Sequence, residues 1–183
     1  MAALIAVIFA IAFIYVFLEA IFKKNKGRWE PWQALRTCYI RVMQFIKNDG
    51  GRAAAGYKCK DDCVTRAIAV ATGLPYERVY DIINGLAQQE RRGKRKKGIS
   101  HAGKGVYKQT YHKLLTSMGW KWTPTMGIGT GCTVHLRAEE LPKGRLIVSL
   151  SKHLCAVIDG VIHDLSNPDR GGTRCVYGYW QKP

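Results

Sequence analysis

The sequence predicts an α+β fold, with helices followed by a small antiparallel sheet behind an N-terminal transmembrane helix. Three observations carry this. Residues 1–22 are almost wholly apolar. Residues 63–118 show apolar positions at helical spacing, broken by Gly73 and Gly119. After Gly119 the pattern changes to short apolar runs separated by turn residues. Helical segments followed by strands define the α+β class.

MAALIAVIFAIAFIYVFL carries no charge, and Glu19-Ala20-Ile21-Phe22 extends it to 22 residues. About 20 apolar residues span a bilayer as a helix. A cleaved signal peptide would need a basic start and a shorter apolar run. Here the basic residues Lys23, Lys24, Lys26 and Arg28 come afterwards. Positive charge stays on the cytoplasmic side, so this cluster predicts a single-pass protein with a cytoplasmic C-terminal domain. Six cysteines, read as unpaired thiols, fit that reducing side.

The chain has 29 Lys+Arg against 13 Asp+Glu, a net charge of +16. Residues 23–183 hold all 29 basic groups and 12 acidic ones, net +17. Apolar residues make up 47% and charged residues 23%, which excludes a disordered or low-complexity chain. Such a basic excess calls for an anionic partner, either lipid or nucleic acid. Next to a membrane, anionic lipid is the economical choice, at about 1 kcal/mol per basic group near the surface. Nucleic acid is the weaker expectation, since no nucleic-acid-binding motif is evident.

Residues 23–56 read as a basic juxtamembrane segment. Within it, Trp32, Leu35, Tyr39, Val42, Met43 and Ile46 share one face of a predicted helix over 30–47, and Trp29 and Trp32 suit the headgroup level. Gly50-Gly51 through Gly56 reads as a linker. The main domain is expected over 57–183. Residues 64–72 form its first helix. Pro75 opens a second, with Val79, Tyr80, Ile82, Ile83 and Leu86 inward. A third spans 106–118. Between the second and third lies a basic loop with Arg91, Arg92, Lys94, Arg95, Lys96 and Lys97, a candidate contact for anionic phosphates. Strands are expected at 121–123, 146–150, 153–158, 161–164 and 175–180. Asp159-Gly160 makes a two-residue hairpin turn.

Asp61-Asp62-Cys63 carries the chemistry. Asp is a good N-cap, so Cys63 falls in the first helical turn, where unsatisfied N–H groups and the dipole favour a thiolate. The best-placed base among five histidines is His153, at the start of a buried strand. The hairpin returns Asp164 towards it as orienter, completing a Cys–His–Asp arrangement. His163 is an alternative base and Asn167 an alternative orienter. His101, His112 and His135 read as surface residues. Cys59-x3-Cys63 is a poor metal pair, with no second pair following. No metal and no cofactor are expected.

A helix-opening Asp-Cys, then His, strand, Asp-Gly, strand and Asp, resembles papain-like cysteine peptidases, in particular the bacteriocin-processing and cysteine-peptidase-like branch. DCVTRAIAVATGLPYERVYDII, SLSKHLCAVIDGVIHD and CVYGYW resemble small uncharacterised phage and prophage proteins. The resemblance covers residues 57–181 and not the anchor. It implies a papain-like fold, Cys63 as nucleophile, His153 as base, Asp164 as orienter and a peptide or protein substrate. A phage origin would put the anchor in the host inner membrane. Such enzymes usually place Gln six residues before the cysteine, as an oxyanion donor. Here that position is Tyr57, and its hydroxyl or Lys58 is the candidate substitute. The expected function is therefore a membrane-anchored thiol hydrolase, peptidase or amidase. The alternative is a catalytically degenerate, tethered binding module with a basic surface.

Overall fold

Two apolar runs, RLIVSL and HLCAVI, form the middle of the sheet because both of their faces are covered, which favours continuous rather than alternating hydrophobicity. In the computed structural model, which describes residues 43–91 and 98–183, these are β3 (Arg145–Leu150) and β4 (His153–Ile158). With β1 (Gln44–Lys47), β2 (Lys121–Pro124), β5 (Val161–Asp164) and β6 (Gly178–Gln181) they make a six-stranded sheet in the order β1-β5-β4-β3-β6-β2. The helices are α1 (Cys63–Thr72), α2 (Tyr76–Gln88) and α3 (Lys108–Ser117). The described body is α+β.

One face of the sheet packs on the helices. Ala67, Ile68 and Ala71 of α1 lie in one core with Ile147, Leu154, Ala156 and Trp180 of the strands, alongside Val79 and Ile83 of α2 and Leu115 of α3. Small residues on α1 let the helix approach the sheet closely. Each fully buried Ile or Leu contributes about 1.5–3 kcal/mol. The opposite face, with Leu146, Val148, Cys155, Val157 and Ile162, is covered by Leu136, Leu141 and Val176. α1 ends where Gly73 turns left-handed at φ 75°, its N–H bonding to Ala69 O. The β4–β5 hairpin turns on Asp159 (φ 49°) and Gly160 (φ 82°), as the Asp-Gly pair predicts. Leu150 and His153 face each other across the tight β3–β4 turn.

Several expectations are corrected. Residues 44–47 are a strand, not the end of a 30–47 helix. β1 pairs in parallel with β5, from Gln44 beside Val161 to Lys47 beside Asp164. A helical period is a local preference, and here the open backbone edge of β5 overrides it. The sheet is therefore mixed rather than antiparallel, and a strand precedes the helices. The described body includes residues before Tyr57, since β1 is a strand of its sheet. Residues 48–56 are a fixed turn instead of a linker. Asn48 Oδ1 accepts from Gly50 N–H, and Asp49 accepts from Gly51 and Ala53 N–H. The last strand starts at Gly178; before it, Cys175 and Val176 pair with residues 134–136, and Cys175 is disulfide-bonded to Cys132. The cysteines are thus not all unpaired. The predicted anchor 1–22, the 30–42 part of the helix and Arg92–Lys97 lie outside the described residues. Among the described residues, no helix is long and apolar enough to cross a membrane.

Candidate active site

Cys63 is the first residue of α1, half-buried at the helix N-terminus. The first intrahelical bond runs from Arg66 N–H to Asp62 O, so the Cys63 N–H lies outside the helical ladder. The end of the sheet is directly beside it. His153 opens β4, and its side chain and the Leu154 N–H are the groups that favour ionisation of the Cys63 sulfur. His153 Nε2 is 2.5 Å from Asp164 Oδ2. With Nε2 engaged, Nδ1 is the nitrogen left for the thiol. The structure thus brings Cys63, His153 and Asp164, residues 101 positions apart at the extremes, into one electrostatically coupled cluster, with His153 hydrogen-bonded to Asp164.

The electrostatics favour charge separation within that cluster. Burial pushes the Cys63 thiol up. The His153 hydrogen bond, the Leu154 N–H and the charges of His153 and Arg66 outweigh it and hold the thiol below its ordinary value. Burial alone would lower His153. Its bonds to Asp164 and Cys63 and their charges raise it to about 9. For Asp164, burial acts upward. The His153 bond and charge, Arg66 and the Leu165 N–H outweigh it and bring the carboxyl below its ordinary range. These directions favour the thiolate–imidazolium pair over the neutral pair.

Behind the cluster lies a second layer that the sequence reading did not identify. Arg66, 5% exposed, sits on α1 and donates through Nη1 to Asp62 and through Nη2 to Asp164 Oδ1, the latter at 3.0 Å. Asp62 is fully buried. It also accepts from Tyr76 Oη at 2.7 Å, and Arg52 Nη1 lies 3.5 Å away. Asp62 is the residue at the N-cap, but its carboxylate makes no capping bond, because Arg66 and Tyr76 occupy it. With the thiolate and imidazolium formed, three cations (Arg52, Arg66, His153) balance three anions (Asp62, Asp164, Cys63). Buried charge is tolerated when it is paired in this way. The signal was present in the sequence: Arg66 is the one charge in the helix CVTRAIAVAT.

The remaining candidates fall elsewhere. Tyr57 stacks on Tyr80 and Tyr76, with ring centroids 4.5 and 5.2 Å away. His163 Nδ1 meets Asn48 Nδ2 at 3.3 Å, so it is tied to the loop after β1. Asn167 Oδ1 accepts from Asp169 N–H at 3.1 Å, shaping its own turn. His112 is not a surface residue. It packs among Tyr111, Trp122 and Trp180, and its Nε2 is buried. His101 accepts from Gly103 N–H, and His135 contacts Glu140. Cys59 packs under Gly103, where a Cβ would lie 2.5 Å from its sulfur. Among the described residues, no group of three or more His, Cys, Asp or Glu is arranged to hold a metal. Arg91 is exposed; the rest of its basic run is outside the described residues. Comparison with protein families, curated proteins and solved structures finds no match to this chain.

Proposed function

We propose that the chain is a papain-like thiol hydrolase that cleaves a peptide or amide bond. The supporting observation is the placement of His153 between the Cys63 thiol and the Asp164 carboxylate. Cys63 Sγ attacks the carbonyl carbon, and His153 protonates the departing amine. Water then attacks the thioester and releases the acid. Residues 1–22 are the proposed membrane anchor, with Lys23, Lys24, Lys26 and Arg28 keeping the body on the cytoplasmic side. The Cys132–Cys175 bond removes the thiol argument for that side and leaves the orientation resting on this basic cluster.

The test is competitive labelling of the folded protein with iodoacetamide at pH 7, resolved by peptide mapping. Cys63 should react first, well ahead of half-buried Cys59 and buried Cys155. Equal reactivity of Cys59 and Cys63 would refute the reading. The tethered binding module is the second reading, and the commitment of Tyr57 to a tyrosine stack favours it. Vesicles with anionic headgroups would then be bound in a salt-dependent way by both the wild type and Cys63→Ala.

A further inference from the structure

We propose that Arg174 is a positioning residue for His153: its guanidinium, fastened beside the disulfide, holds the turn that delivers the imidazole to the site. The inference rests on the thiol-hydrolase reading and extends it to what keeps the base in place.

His153 is held through its side chain by Asp164, whose Oδ2 lies 2.5 Å from Nε2. That contact fixes the ring only if the backbone beneath it is also fixed. His153 follows a two-residue turn, Ser151-Lys152, closed by the pairing of Leu150 with His153 across β3 and β4. Both turn residues are exposed, and Lys152 is left-handed at φ 56°. A residue with a Cβ holds that conformation at a cost that neighbouring contacts must offset. The turn is therefore a weak point directly before the base.

The offsetting contact comes from outside the hairpin. Arg174 Nη2 donates to Ser151 O at 2.7 Å. A charged donor makes a shorter and stronger bond to a carbonyl than a neutral one. The Nε of the same guanidinium is buried, so the group lies against the body instead of trailing in solvent. Arg174 is itself held on both sides. Its N–H donates to Asp169 O at 3.0 Å, and its carbonyl accepts from Leu136 N–H at 2.7 Å. The next residue, Cys175, is bonded to Cys132 and pairs with His135. Tyr177 N–H then donates to Ser149 O at 2.9 Å, on the strand that runs into the turn. Residues 174–177 thus form a strap, clipped to β3 at one end and to the turn at the other.

The test uses the full-length chain and reads His153 itself. Its wild-type titration, followed by NMR, should be centred at about 9. Arg174→Met keeps the apolar stem and loses the donor. Its His153 midpoint should fall by about half a pH unit or more, as the Asp164 contact loosens. Loss of a nearby cation alone would raise the imidazole, so a fall reports lost positioning and not lost charge. Cys63 alkylation by iodoacetamide at pH 7 should slow about threefold or more, with Cys59 in the same sample unchanged. The turn needs one donor on one carbonyl, which a lysine ammonium can supply, so Arg174→Lys should recover most of both effects. A group that only adds stability would lower the urea midpoint and leave the folded-state titration where it was. An unmoved or raised His153 midpoint in Arg174→Met overturns the proposal, and so does a fall that Arg174→Lys does not reduce. The hydrolase reading fails separately. A wild-type Cys63 that alkylates no faster than Cys59 overturns that reading, while the His153 titration still decides the positioning role.

Discussion

Arg66 joins the helix that carries Cys63 to the strand that carries Asp164. Its Nη2 donates to Asp164 Oδ1 at 3.0 Å, while Nη1 binds Asp62 at the helix start. One planar guanidinium thus fixes the distance between α1 and β5 at the point where Cys63 and His153 must meet. Lysine has neither the fork nor the reach to hold two carboxylates in this way. Arg66→Leu leaves two buried carboxylates without their shared cation, and should destabilise the fold by about 3–5 kcal/mol. Arg66→Lys should fall between that variant and the wild type. Urea unfolding at pH 7 measures both, and an unchanged midpoint for Arg66→Leu would contradict the shared-cation role.

Reactivity against pH should separate the two proton sites. The Cys63 thiol is held below its ordinary value of 9.0, and His153 is raised to about 9. Alkylation needs only the thiolate, so its rate should rise with a midpoint below that of an ordinary thiol and then level off. Acyl transfer to an amine leaving group also needs the imidazolium proton, so turnover should be bell-shaped, with an alkaline limb near pH 9. His153→Ala removes both the hydrogen bond and the charge that lower the thiol. Its alkylation midpoint should move to higher pH, and the thiolate fraction at pH 7 should drop about tenfold for every pH unit the midpoint moves. An identical profile in wild type and His153→Ala would show that the imidazole does not touch the thiol.

Asp164 should reveal itself through His153. The imidazole stands at about 9 against an ordinary 6.5, chiefly because the Asp164 bond overcomes burial. In Asp164→Asn the midpoint of the His153 titration, followed by NMR, should fall by roughly one pH unit or more. Stability follows the same linkage. The raised His153 value contributes fully below pH 6.5, and that contribution disappears as pH rises through about 9. The lowered Asp164 value contributes fully above 3.8, and that contribution is lost as pH falls through its folded value. The gap in unfolding free energy between wild type and Asp164→Asn should therefore be widest near pH 5–6 and narrow towards pH 10. A gap that stays constant across this range would argue against the ion pair.

The chain order of helices and most strands was legible because the signals were local. Gly73 stops α1, Asp159-Gly160 turns the β4–β5 hairpin, and the LIVSL run is buried on both sides. The meeting of His153 and Asp164 could be read from the hairpin because a two-residue turn fixes register. Long-range pairing was not legible. Gln44–Lys47 has a helical period, and its strand state depends on β5, whose paired residues lie 117 positions away. The Arg66–Asp164 contact spans 98 positions, and nothing local to either residue specifies it. Asp62 looked like an ordinary N-cap. Only the tertiary arrival of Arg66 and Tyr76 at its carboxylate explains why it makes no cap.

The disulfide at the same end of the sheet allows a separate test. Cys132 ends the glycine-rich loop after β2, and Cys175 lies just before β6, 43 residues further on. The two segments are also joined by backbone bonds, Val176 N–H to Val134 O and Leu136 N–H to Arg174 O. A cross-link closing a loop of this length restricts the unfolded chain by about 4 kcal/mol in the chain-entropy description, and measured values are commonly about 2–4 kcal/mol. The Cys132→Ser, Cys175→Ser double variant should lose stability in that range. The reduced wild type should match it, and the oxidised wild type should remain above both in urea. Peptide mapping without reductant should recover the two cysteines as one linked fragment, with Cys59 and Cys63 still alkylatable. Bonds of this kind persist in oxidising compartments and are rare where thiols are kept reduced. Mapping protein taken directly from cells under acid quench therefore also reports whether the body resides in an oxidising or a reducing compartment. Recovery of Cys132 and Cys175 as free thiols would support the proposed cytoplasmic orientation, and a linked fragment would argue against it.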